Sequence, residues 1–189
     1  MIDENAFGLL ISYFTAEDEE YALERSDFVK RFTAFRTAVV ECLEAIPLGR
    51  AARAVHLGHA VYVELSEGDQ VEDPLGWLRM VRARLAGREL STVGVLTHGS
   101  RWVPEETESV ALPAWAGDVP LLHVSFPSEP LRRALYADTA TRLDEDAEVP
   151  GWGPGLYVDT EAVEALGRKL RNAPTPLRAG GATFFRAGS

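Results

Sequence analysis

Four histidines, one cysteine and a scatter of serines and carboxylates are the groups with which this chain could do chemistry. His56 and His59 stand three apart in His56-Leu57-Gly58-His59. On a helix that spacing brings two imidazoles to one metal ion. The neighbouring valines and Gly58 argue for a strand instead, where residues three apart point to opposite faces. One ion could not reach both, and neither a cysteine cluster nor an HExxH pattern is present to complete a zinc site. No bound metal is expected, and His59, on the apolar face of that strand, reads as a core histidine. His98 and His123 each stand on or just after a predicted strand. A site between those strands would use one of them as a base.

Ser100 is the best-placed hydroxyl, in Thr97-His98-Gly99-Ser100-Arg101-Trp102. A nucleophile elbow needs glycine two residues to either side, and here those positions hold His98 and Trp102. Gly151, Gly153 and Gly155 form a G-x-G-x-G run. A phosphate-binding loop must open a helix, whose N-terminus supplies the anion site; this run follows acids and opens a strand. No G-K-[ST] occurs, and Asp144, Glu145 and Asp146 lack the twelve-residue calcium-loop pattern. No cofactor is expected. Arg79, Arg82, Arg84 and Arg88 read as the solvated face of a helix whose leucines lie opposite. Cys42, flanked by Val39, Val40 and Leu43, reads as a small apolar residue near the core.

These groups must be positioned by elements that the hydrophobic pattern predicts. Phe7 to Thr15 is apolar at both parities, as in a strand covered on both faces. A helix follows from Ser26, with Phe28, Phe32, Phe35, Val39, Leu43 and Ile46 at spacings of three and four, ended by Pro47 and Gly49. Residues 52 to 66 alternate cleanly and predict one long strand. Asp73 and Pro74 start a second helix, which ends at Gly87. A third strand runs from about Ser91 to Thr97, and residues 99 to 119 are irregular. Then come a short strand at Val110 to Leu112, a strand at Pro120 to Phe126 and a helix from Ser128. The tail gives a strand at Leu156 to Val158, a helix from Thr160 to Arg171, a Pro-rich turn and a closing strand at Ala182 to Arg186. The order is roughly βαβαβ-(β)-βαβαβ. It predicts an α+β fold, with a mixed sheet and helices packed mainly on one face. Residues 1–189 make one domain, with 99–119 dividing two sub-halves.

Composition bounds what such a domain does. With 46% hydrophobic and 25% charged residues, the 189-residue chain has the profile of a globular protein. Its amino terminus is acidic, without the basic segment of a signal peptide, and no apolar run approaches the ~20 residues of a membrane span. With a single thiol, a cytoplasmic setting is expected. A net charge of −10 disfavours nucleic acid and anionic membranes as partners and attracts basic proteins. The main expectation is therefore a non-enzymatic acidic protein that neutralises or regulates a basic partner, a toxin or effector. Bacterial toxin-immunity proteins share that profile of size, charge and absent catalytic groups. Its partner-binding surface would combine aromatic anchors with steering acids, Trp102 with Glu105 and Glu106, and Trp152 with Asp144, Glu145 and Asp146. The alternative is a small-molecule enzyme with a site between strands that uses His98 or His123.

Overall fold

A segment apolar on both faces belongs in the middle of a sheet, and β1 (Ile2–Tyr13) lies there, hydrogen-bonded on both sides. The computed structural model describes residues 2–14, 25–45, 51–57, 59–66, 73–103, 128–142, 152–167 and 175–187. The other strands are β2 (Ala51–Leu57), β3 (Ala60–Ser66), β4 (Thr92–Val103), β5 (Gly155–Asp159), β6 (Leu177–Ala179) and β7 (Ala182–Arg186). Among the described residues they form one sheet in the order β2-β3-β1-β4-β5-β7-β6. β4 and β5 run parallel and the other neighbours antiparallel, so the sheet is mixed.

Helices cover the two faces unequally. The face bearing Phe7, Leu9, Ile11 and Tyr13 packs on α1 (Arg25–Ala45), α2 (Pro74–Ala86) and α4 (Thr160–Ala165). α1 turns Phe35, Ala38, Val39 and Cys42 inward at helical spacing, so the lone thiol is buried as expected. α2 begins where Asp73 accepts a hydrogen bond from Gly76 N at 2.9 Å, with Pro74 in its first position. The opposite face, with Leu10, Tyr62, Val93, Val95 and Tyr157, is covered by α3 (Glu129–Arg142) through Leu131, Ala134 and Ala137. The small alanines let this helix lie close to the strands. Ser128 secures its start, accepting from Leu131 N and donating to the buried Glu64 of β3 at 2.9 Å. The α+β architecture, with helices mainly on one face, is as the pattern predicts.

Several elements differ from expectation. Residues 52–66 form two strands of a hairpin, since Leu57 pairs with Ala60 and Val55 with Tyr62. Their alternation continues through the turn, so periodicity alone could not reveal the reversal. β4 continues to Val103, taking His98, Ser100 and Trp102 into the sheet opposite β1. β6 and β7 form a second hairpin where a turn alone was predicted before the closing strand. The strands expected at 110–112 and 120–126 lie outside the described residues. Among the described residues no helix is long and apolar enough to cross a membrane.

Candidate active site

The β2–β3 turn carries His59 to the end of β1. The backbone N–H of Tyr13 donates to the His59 carbonyl at 2.9 Å, fixing the turn against that strand. One residue earlier, Ser12 faces α3, whose last turn brings in Asp138. The buried Asp138 carboxylate accepts from the Ser12 hydroxyl at Oδ1, and its Oδ2 lies 2.8 Å from Nε2 of His59. Arg142, one turn further along α3, donates to the Tyr13 carbonyl at 2.7 Å and lies 3.4 Å from Oδ1 of Asp138. Three sequence-distant segments thus converge on one carboxylate.

The electrostatics follow from this wiring. Burial alone would push the Asp138 carboxyl up. The hydrogen bond from His59, the charge of Arg142 and the Ser12 hydroxyl outweigh it, holding the group below the usual carboxylate value. Asp138 is therefore an anion at neutral pH. It fixes the His59 ring, which is itself 47% exposed and open to an incoming molecule. A buried carboxylate holding a half-exposed imidazole is the arrangement with which proteins transfer protons. It contrasts with the core position expected for His59, an error that follows from reading the hairpin as one strand.

A second polar centre lies at the other end of β5. Asp159 caps α4 by accepting from Ala162 N at 2.7 Å, and it accepts from His98 N and Arg133 at 3.3 and 3.4 Å. Burial, reinforced by the neighbouring Glu161, pushes its carboxyl up to about 7, against the opposing hydrogen bonds and the Arg133 charge. Arg133 also meets Glu129 at 3.1 Å, Glu161 at 3.0 Å and the His98 carbonyl at 3.0 Å. This centre grips the backbone of His98, whose ring lies against Phe7 with centroids 4.8 Å apart. It ties α3 and α4 to β4 and β5, a structural task.

Of the residues singled out for partner binding, the structure describes Trp152 and the backbone of Trp102. Trp152 is half-buried, its ring against Tyr157 and Phe184 at centroid distances of 4.9 and 5.9 Å. Trp102 lies in β4, its backbone opposite Asp3. Glu105, Glu106, Asp144, Glu145, Asp146 and His123 lie outside the described residues. Among the described residues no group of three or more His, Cys, Asp or Glu side chains could hold a metal ion. At the site itself both Asp138 oxygens are already engaged by protein donors.

No family model and no curated protein sequence matches the chain. Solved structures do. A bacterial light-regulated adenylyl cyclase is similar over 98% of this chain and 91% of its own, with a TM-score of 0.65 and 10% identity. The chain shares the fold of nucleotide cyclases. The guanylyl cyclase Cya2 is similar over 98% of this chain and 92% of its own, with a TM-score of 0.58 and 11% identity. The adenylyl cyclase CyaB from P. aeruginosa is similar over 100% and 96%, with a TM-score of 0.61 and 7% identity. These likenesses correct the main functional expectation. A fold held in common with enzymes over nearly the whole chain points away from a non-enzymatic inhibitor of the immunity-protein type, and from a basic protein as its partner. The expectation rested on net charge, which reports solubility and steering but not fold or site. The comparisons favour the small-molecule enzyme with a site between strands.

Proposed function

We propose that this protein is an enzyme acting on a small molecule of the nucleotide class. Its site is the end of the sheet where β1 meets the β2–β3 turn. His59 transfers the proton, and Asp138 positions and electrostatically supports it. The observation that carries this reading is the 2.8 Å contact between Nε2 of His59 and a buried carboxylate whose second oxygen Ser12 occupies. With Asp138 fixed from both sides, Nε2 is committed to the carboxylate, and Nδ1 is the remaining nitrogen of a side chain that is 47% exposed. That nitrogen can accept a proton from a hydroxyl or a water molecule as it attacks an electrophile. The imidazolium formed would be stabilised by the adjacent anion. The nucleotide class comes from the structural neighbours, which are adenylyl and guanylyl cyclases.

A phosphorylated substrate needs its charge met. The described carboxylates and imidazoles do not fit a divalent-cation site, whereas arginines stand close by, Arg142 first among them. Cytoplasmic residence goes with this reading, because nucleotides and a lone reduced thiol both belong there. The test is turnover of a panel of purine nucleoside mono-, di- and triphosphates, followed by product separation. His59→Gln should lower kcat by about a hundredfold or more with little change in KM, the size of a general-base contribution. Equal turnover by parent and variant, or no turnover of any member of the panel, would overturn the assignment.

A further inference from the structure

Two arginines, Arg82 and Arg186, lie at the sheet end that carries His59, and among the described residues no carboxylate pairs with either. Ser12 pairs across the sheet with Val93, and Val93 pairs with Gly155. Gly155 is therefore two strand spacings from Ser12, about 10 Å, in the same row and on the same face. Arg186 of β7 fills the space above it: a Cβ on Gly155 would lie 3.1 Å from the Arg186 Nε. On the other face Arg82 of α2 lies over Gly94, where an added Cβ would meet its Cδ at 3.0 Å. Two glycines thus clear room for two guanidinium stems, which approach the end of the sheet from opposite sides.

Arg82 is half-buried, not part of the solvated face that its helical position predicts. Its Nε–H is buried with no hydrogen-bond partner among the described residues. Burial lowers its pKa and the like charge of Arg186 lowers it further, against the opposing influence of the neighbouring Tyr157 hydroxyl. Arg186 gives one nitrogen to the Pro154 carbonyl at 2.7 Å, which anchors it beside the Gly153–Gly155 turn. Buried N–H donors are almost always satisfied, and a desolvated cation facing a second cation is costly unless an anion joins them.

We infer that Arg82 and Arg186 form a binding subsite for a phosphate group. Two guanidinium groups supply several N–H donors and two positive charges, which suit a dianionic tetrahedral oxyanion better than a singly charged carboxylate. Standing in line with Ser12, the subsite would hold the phosphate end of a substrate whose reacting atom sits at His59. That last step rests on the proposed function; the anion site does not.

Calorimetric titration of the full chain with inorganic phosphate, pyrophosphate and AMP, at constant ionic strength, tests the inference. All three should bind. Arg82→Gln and Arg186→Gln should each weaken phosphate binding by tenfold or more, Arg82→Lys should retain part of it, and His59→Gln should leave it unchanged. Tighter binding of AMP than of inorganic phosphate identifies a nucleotide as the source of the group. The reverse order identifies the free anion. Arg186 is exposed, so its substitution leaves the fold intact even if Arg82→Gln does not. Absence of phosphate binding by the parent, or equal binding by parent and Arg186→Gln, overturns the inference. Phosphate binding without nucleotide turnover leaves the subsite standing and removes the proposed function; turnover indifferent to both arginines does the opposite.

Discussion

Replacing Asp138 by asparagine removes one charge at the centre of the site and almost nothing else. The amide keeps an oxygen that can accept the Ser12 hydroxyl, so the buried Ser12 stays paired. What changes is the side facing His59 and Arg142, where an NH2 group replaces a carboxylate oxygen. Hydrogen bonds to a charged partner contribute roughly 1.5–3 kcal/mol each. His59 is 47% exposed and the Arg142 contacts are 3.4 Å or longer, so solvent screening reduces both. A net loss of about 2 kcal/mol at pH 7 follows, or about 4 to 8 °C in Tm for a chain of this size. The sign with pH is set by the direction of the shift. Asp138 is held below its ordinary value in the folded protein, so its contribution is complete above the unfolded pKa. It is lost as pH falls through the folded one, from about pH 4 downward. Urea unfolding followed by tryptophan fluorescence at pH 7 and at pH 3.5 to 4 should show a gap that narrows in acid. A variant as stable as the parent at pH 7, or a gap that widens in acid, would refute the description of Asp138 as the charged hub. The same variant should lose turnover along with His59→Gln, because the imidazole loses the partner that fixes its protonated nitrogen.

Asp159→Asn should give the opposite pH trend. The folded carboxyl keeps its proton up to about 7, whereas the unfolded one releases it near 4, so the parent should lose stability relative to the variant as pH rises between those values, by up to roughly 4 kcal/mol. Paired denaturation curves at pH 4.5 and 8 check this, and a constant difference would contradict it. Gly8→Ala should cost about 1–3 kcal/mol, because its Cβ would lie 2.7 Å from both Thr97 Oγ1 and the Tyr62 hydroxyl and 2.8 Å from Pro130. A thermal melt within 1 °C of the parent would show that α3 lies further from β1 than described.

Much of the scaffold was legible in local chemistry. The two-sided apolar run placed β1 in the sheet interior, Asp73 with Pro74 marked the start of α2, and the spacing of Phe35, Val39 and Cys42 marked the buried side of α1. Each of those signals is carried by residues within a few positions of one another, where propensity and periodicity act. The site was another matter. His59 was misplaced because alternation runs unbroken through a hairpin; Gly58 was the available turn signal, and its two-residue loop would have put His59 at a tip. Asp138 carried no signal, being one acid among 29 on a helix whose pattern showed only leucines. Ser12, Asp138 and His59 are separated by 126 and 79 positions in their two contacts, and Arg82 and Arg186 also stand far apart in the chain. Net charge, the one global property readable without a fold, pointed to a partner instead of a site. Which carboxylate meets which imidazole is decided by strand register and by the packing of α3 on the sheet, because hydrogen bonds and desolvation act over a few ångströms of space, whatever the distance along the chain.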